Sequence, residues 1–176
     1  LSLRAALIRF YNTYEDDDRK KFIGSIILFV IFNSIFIVGL LILFNNLYNS
    51  FVFPDINFYP TVLMGVIAMG FEAIYLTYQS VLQAKQDGKK YTLNSMLFLL
   101  THTLFNILFV VVMKMDYDGM VLGLLVSEFV FAIYGVLSLI IKKEIQFSFK
   151  FPYLKKSLLY SIPILPHNLA NNISTF

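Results

Sequence analysis

Four apolar blocks constrain this chain more than anything else in it: Phe22 to Phe44, Thr61 to Gln83, Tyr91 to Met113 and Gly119 to Ile141, each 23 residues long. A helix rises 1.5 Å per residue, so about twenty residues cross the roughly 30 Å hydrocarbon core of a bilayer. Lipid offers no partner to a free backbone N–H or C=O, and only a helix satisfies both within one segment. The expected fold is therefore all-α, a multi-pass transmembrane helix bundle. Composition agrees: 58% of the 176 residues are hydrophobic and 14% charged, against about 25% charged in a soluble domain.

Partial spans flank the four complete ones, Leu1 to Tyr11 before them and Ser157 to Phe176 after them. The connectors, Asn45 to Pro60, Ala84 to Lys90, Lys114 to Asp118 and Lys142 to Lys156, leave no room for a soluble domain. The chain starts without Met and without a charged segment followed by a cleavage site, so no signal peptide is legible. It reads as a fragment of a longer protein. It has no cysteine, which removes disulfides, Cys-based metal sites and Cys nucleophiles.

Basic residues in short loops stay on the cytoplasmic side. Arg4, Arg9, Arg19, Lys20 and Lys21 precede the first complete span; Lys85, Lys89 and Lys90 lie between the second and third; Lys142, Lys143, Lys150, Lys155 and Lys156 follow the fourth. Alternate connectors thus take thirteen of the fourteen basic residues, leaving Lys114 on the other face. The net charge of +3 is this bias, helped by anionic lipid, and calls for no nucleic acid. The acidic run Glu15 to Asp18 reads as a solvated loop or a helix start.

Ionisable groups inside a bilayer are costly and mark functional candidates. Glu72 lies near the midplane, ~17 Å from the outer end of its span by helical rise. His102 lies equally deep from the inner end of its own span, Glu128 about nine residues in from the outer side, and Asn33 at mid-depth in the first complete span. Together they form a polar layer across all four. Glu72, Gln79 and Gln83, with Tyr75, are spaced as one inward stripe, and Asn94, Thr101, His102 and Asn106 as another. Gly119, Gly123 and Ser127 recur every four residues, a ridge suited to close helix contact. Two readings stay open: hydrogen-bonded packing, or a path for substrate or coupling ion through Glu72, Glu128 and His102. For His102 itself, a local bond to a carbonyl or to Asn106 is the simpler role.

No phosphate-cradling glycine loop, helical metal-ligand motif or nucleophile elbow is present. Catalysis is not expected, nor any cofactor or metal.

Several stretches together resemble the polysaccharide-export flippases of the multidrug/oligosaccharidyl-lipid/polysaccharide exporter superfamily. ALIRFYNTYEDDDRKK (Ala6 to Lys21) is similar to the Arg, aromatic pair and charged loop after that family's second span. VLQAKQDGKKYTLNSM (Val81 to Met96) resembles the short loop between its fourth and fifth spans. MDYDGMVLGLLVSEF (Met115 to Phe129) resembles the outer turn and start of its sixth, and YSIPILPHNLANNISTF (Tyr160 to Phe176) the Pro-x-x-Pro opening of its seventh.

The resemblance implies a MATE-like transporter of two six-helix bundles. Residues 1–153 would carry the end of span two and spans three to six, and residues 154–176 the start of span seven in the second bundle. It further implies a location in the bacterial cytoplasmic (inner) membrane. The task it implies is flipping oligosaccharide linked to undecaprenyl diphosphate across that membrane for lipopolysaccharide or capsule, with Na⁺ or proton coupling and polysaccharide assembly proteins as partners. Arg9 matches the family's Arg, and guanidinium suits phosphate oxygens; Arg4, Asn94, Asn106, His167 and Asn168 complete the candidate substrate residues. One departure stands out, since the complete spans carry no basic residue at mid-depth. Both arginines also fit a simpler role as interfacial anchors. Competing functions are a drug or cation antiporter of the same superfamily, and a non-transporting scaffold of a polysaccharide assembly complex.

Overall fold

The computed structural model describes residues 3–52 and 56–164, and among these the regular elements are all helical. Helix α1 is Leu3–Phe10, α2 Asp16–Leu43, α3 Asn45–Val52, α4 Leu63–Ala84, α5 Gly88–Asn106, α6 Asp116–Ile141 and α7 Phe151–Ser161. A wider π-type turn carries α5 forward over Ile107–Val112, and the segment Phe58–Val62 leads into α4 across a kink, with Tyr59 extended (φ −100°, ψ 132°). Four helices are long and apolar enough to cross a membrane: Asp16–Leu43, Phe58–Ala84, Gly88–Val112 and Asp116–Ile141.

The charged segment before the first block is helical. Asp16, Asp17 and Asp18 occupy the first turn of α2, where the helix dipole favours acids. They pair three residues on with Arg19 (3.2 Å), Lys20 (3.4 Å) and Lys21 (3.4 Å). Such exposed pairs contribute little each, so the acidic run acts mainly as a helix start. The connector Asn45 to Pro60, expected as a loop, instead opens with α3, and Asn45 and Asn49 tie their side-chain amides to the carbonyls of Ile42 (2.6 Å) and Ile56 (3.1 Å).

Inter-helix contacts set direction and register. Phe71 meets Phe129, and Tyr78 meets Gly135 and Ser138, so α4 and α6 run parallel. Phe98 meets Phe131 while Asn106 meets Gly123, so α5 runs antiparallel to α6. Gly70 lies against Val38 and Ser34, while Ile27 and Val30 line one small void with Thr77 and Tyr78, so α2 is antiparallel to α4. The basic connectors accordingly gather at one end of the bundle. There α4 and α6 finish in matching turns, with Gln86 and Lys143 in the left-handed region (φ 57° and 53°) and six-residue closing bonds from Asp87 N–H to Leu82 and from Glu144 N–H to Leu139. An ion pair between Lys85 and Glu144 joins the two turns.

The best-buried apolar side chains, including Leu7, Phe22, Ile23, Ile26, Val81, Leu82 and Leu139, lie in the half of the bundle nearest that basic end. Burial is otherwise inverted relative to a soluble protein. On α5 the one buried residue is Asn94, while Leu93, Leu97, Leu100 and Leu104 are exposed. Phe32, Ile35, Phe36 and Leu43 of α2 are likewise exposed, whereas Ser25, Thr77, Gln79, Ser80, Ser127 and Ser138 are buried. In hydrocarbon this arrangement is favourable: apolar side chains lose nothing by facing lipid, and polar ones are held between helices, bonded across them or, as at Thr77, Ser80 and Ser127, to the carbonyl four residues back.

An extended segment, residues 144–150, crosses the start of α2. Gln146 N–H donates to the Lys20 carbonyl (3.1 Å), and Ser25 Oγ accepts from Lys150 N–H (3.0 Å) while lying 2.6 Å from the Ser148 carbonyl. Gly24 makes room for it, because a Cβ there would sit 2.1 Å from the Gln146 carbonyl oxygen. Beyond the strap, α7 packs on α1 and α2 through Tyr153 with Tyr14 and Phe22, and through Tyr160 with Phe10. The expected boundary after Tyr153 falls inside α7.

Candidate functional site

Two polar groups of different character occupy the bundle. The first lies toward the basic end, where Tyr75, Tyr78 and Gln79 of α4 turn one face toward α5 and α6. Gln79 Nε2 donates to Tyr75 Oη (2.7 Å) and Ser95 Oγ (3.0 Å), Tyr75 Oη to the Asn94 carbonyl (3.4 Å), Asn94 Nδ2 to Tyr78 Oη (3.5 Å), and Tyr78 Oη to Ser138 Oγ (3.4 Å). Asn94, a candidate substrate residue, is thus buried in a network joining three helices. Tyr78, Ser95 and Ser138 were not singled out from sequence; the signal that could have found them is Tyr75, Tyr78 and Gln79 at helical i, i+3, i+4 spacing.

The second group is the mid-span layer. Val121 and Gly135, seven residues either side of Glu128, contact α4 at Gly65 and Tyr78. Glu128 therefore lies on the face of α6 toward α4, level with Phe71 and Glu72. The Phe98–Phe131 and Asn106–Gly123 contacts place Thr101 and His102 of α5 at the same depth, and the Gly70–Ser34 contact does so for Asn33 of α2. The four polar positions read from sequence thus share one layer, but they are not bonded to one another.

Within that layer Glu128 is 5% exposed, and its Oε2 has no hydrogen-bond partner. Glu72 is its electrostatic neighbour from α4, yet Glu72 itself is exposed, as is Gln83, so the expected inward stripe on α4 reduces to Tyr75 and Gln79. His102 stacks on Phe98 (centroids 6.0 Å, planes 3° apart), and its Nε2 lies 3.1 Å from Asn106 Nδ2. With the amide donating, Nε2 accepts and the ring proton sits on Nδ1, which is buried without a partner. Asn106 Oδ1 is likewise buried and unpartnered, pressed toward Gly123. His102 forms no ion pair with Glu72 or Glu128, and Asn33 makes no side-chain hydrogen bond, among the described residues.

At the basic end Arg4 is exposed, and its Nε donates to Ser80 Oγ of α4 (3.0 Å). Arg9 is exposed and forms no ion pair or hydrogen bond among the described residues. Beside it, the Lys156 ammonium lies over the rings of Phe10 (4.7 Å) and Tyr14 (5.4 Å), and Tyr14's phenol is pushed above its ordinary range by burial and by Asp18. Candidates His167 and Asn168 lie outside the described residues. Among the described residues no group of three His, Asp or Glu could hold a metal ion. No protein-family model, curated protein or solved structure matches this chain.

Proposed function

We propose that this chain forms part of a flippase that moves a polyprenyl-diphosphate-linked oligosaccharide across the bacterial inner membrane for polysaccharide assembly. The observation that carries the reading is the unpartnered polar atoms at mid-span: Glu128 Oε2, His102 Nδ1 and Asn106 Oδ1. Packing polar groups satisfy one another, as Tyr75, Tyr78, Asn94 and the Gln79 Nε2 group do, with Gln79 Oε1 alone in that network left without a partner. Polar atoms left open in hydrocarbon cost free energy unless a hydrated or polar ligand reaches them. Sugar hydroxyls are donors and acceptors of the kind that would complete them. Arg9, unpaired at the basic end, is available to diphosphate oxygens at the point of entry.

The test is deletion of the encoding gene in its own bacterium. Lipid-linked repeat units should then accumulate on the cytoplasmic leaflet and surface polymer should fall; unaltered surface polymer sinks the proposal. A cation or drug antiporter is the second reading, favoured by the buried Glu128 carboxyl beside Glu72. It predicts greater sensitivity to cationic drugs, with polymer unaffected, in the same deletion strain.

A further inference from the structure

An apolar groove of about 680 Å³ opens between α2, the strap and α7, lined by Leu28, Phe29 and Phe32 on one side and Phe149, Phe151, Leu154 and Leu158 on the other. Leu154 is buried at its floor, whereas Phe32, Phe149 and Phe151 are 70, 56 and 62% exposed along its walls. Its depth is set by the bond from Lys150 N–H to Ser25 Oγ. Leu28 and Phe32 follow Ser25 by three and seven residues, so the groove descends roughly 10 Å from the level of Lys150 by helical rise. One leaflet's hydrocarbon is about 15 Å deep. The groove therefore runs from the basic boundary to near the midplane within a single leaflet.

Two cations adjoin its lining residues in the chain. Lys150 stands between Phe149 and Phe151, and Lys155 follows Leu154; both are exposed, and neither forms an ion pair among the described residues. The neighbouring lysines are engaged elsewhere, Lys21 with Asp18 and Lys156 over the rings of Phe10 and Tyr14. The positive end of the α7 dipole opens at the same point. Asp18 is already paired with Lys21 and acts on Tyr153, whose ring packs against Tyr14 and Phe22.

We propose that this groove is a binding site for one acyl chain of an anionic phospholipid of the basic-side leaflet, with the lipid phosphate held between Lys150 and Lys155. Such a lipid would bridge α2 to α7 and hold the strap against the bundle. The inference rests on the membrane-spanning fold and not on the cargo, so it survives failure of the flippase reading.

The chain contains no tryptophan, so a single introduced indole reports on its own surroundings. The full chain carrying Phe32→Trp is reconstituted in phosphatidylcholine vesicles containing brominated phosphatidylglycerol or, separately, brominated phosphatidylcholine. Leu104→Trp, on the exposed face of α5, is the reference position. Phe32→Trp should be quenched preferentially by the anionic lipid, on the order of fivefold in relative affinity per lysine, and Leu104→Trp should show no preference. Lys150→Gln with Lys155→Gln should abolish the preference at unchanged helical content. Leu158→Trp reads the same groove from α7 should Phe32→Trp not fold. Equal quenching by both lipids, or a preference that survives the double lysine change, overturns the proposal. So does displacement of brominated phosphatidylglycerol by undecaprenyl phosphate that exceeds, at equal mole fraction, the displacement by unbrominated phosphatidylglycerol, which would assign the groove to a polyprenyl chain.

Discussion

A Cβ on Gly123 would stand 2.4 Å from Asn106 Oδ1 and 3.2 Å from the Asn106 backbone nitrogen. The glycine of α6 thereby fixes how closely α5 approaches, and with it the position of the Asn106 amide against His102. Because backbone as well as side chain is in the way, a swing of the Asn106 amide alone does not relieve the contact.

Gly123→Ala should therefore push α5 from α6 and break the Asn106–His102 bond, with a cost of about 1–3 kcal/mol typical of overpacking. Reversible unfolding in mixed detergent measures the loss. A nitrogen-15 spectrum of labelled His102 should show Nε2 released from the amide; an unshifted signal would contradict the geometry.

Glu128→Leu separates path from packing. A buried carboxyl with an unpartnered oxygen adds little to the fold, and an apolar replacement of similar length is commonly neutral or stabilising. The variant should unfold at the same temperature as the parent, or higher, in detergent while losing transport in the intact protein. Lower stability together with full transport would make Glu128 a packing residue.

Ser25→Ala removes the hydroxyl that accepts from Lys150 N–H and lies against the Ser148 carbonyl. Leaving those groups short of a partner costs about 1–3 kcal/mol. Amide hydrogen exchange at Gln146 and Lys150 should quicken while that of α4 and α6 stays slow. Gly24→Ala should have a larger effect at the same amides, since its Cβ collides with backbone.

The α4–α5 turn carries a pH response. The Asp87 side chain caps α5 by accepting from Lys90 N–H (3.3 Å) and also bonds the Lys90 ammonium. These bonds, the ammonium's foremost, hold its carboxyl below the ordinary value of 3.8. A depressed folded value means that the stabilisation is complete above the ordinary carboxylate range and is lost as pH falls through the depressed one. Exchange at the Lys89 to Tyr91 amides, compared at matched intrinsic rates, should rise relative to the rest of α5 at acid pH in the parent and show no such change in Asp87→Ala.

The number of long apolar helices and the one-sided basic connectors are legible in the amino-acid sequence, because in hydrocarbon they depend on local properties, whereas the helices start three to six residues ahead of the apolar blocks, at Asp16, Phe58, Gly88 and Asp116. Twenty apolar residues such as Phe22 to Phe44 must form a helix wherever they sit in the bundle, and Lys85 or Lys142 must avoid the core whatever its neighbours. The common depth of Asn33, Glu72, His102 and Glu128 follows from counting along each helix. Facing is another matter: α2 and α5 are apolar around much of their circumference, so periodicity is nearly silent about which side turns inward. Only packing decided that Glu128 is buried while Glu72 at the same level is exposed, that Asn94 belongs to a hydrogen-bonded network joining three helices, and that Gly24 admits a strap 122 residues further along the chain. These depend on where backbones can approach, at Gly24, Gly123 and Gly135, and close approach is a property of two helices at once.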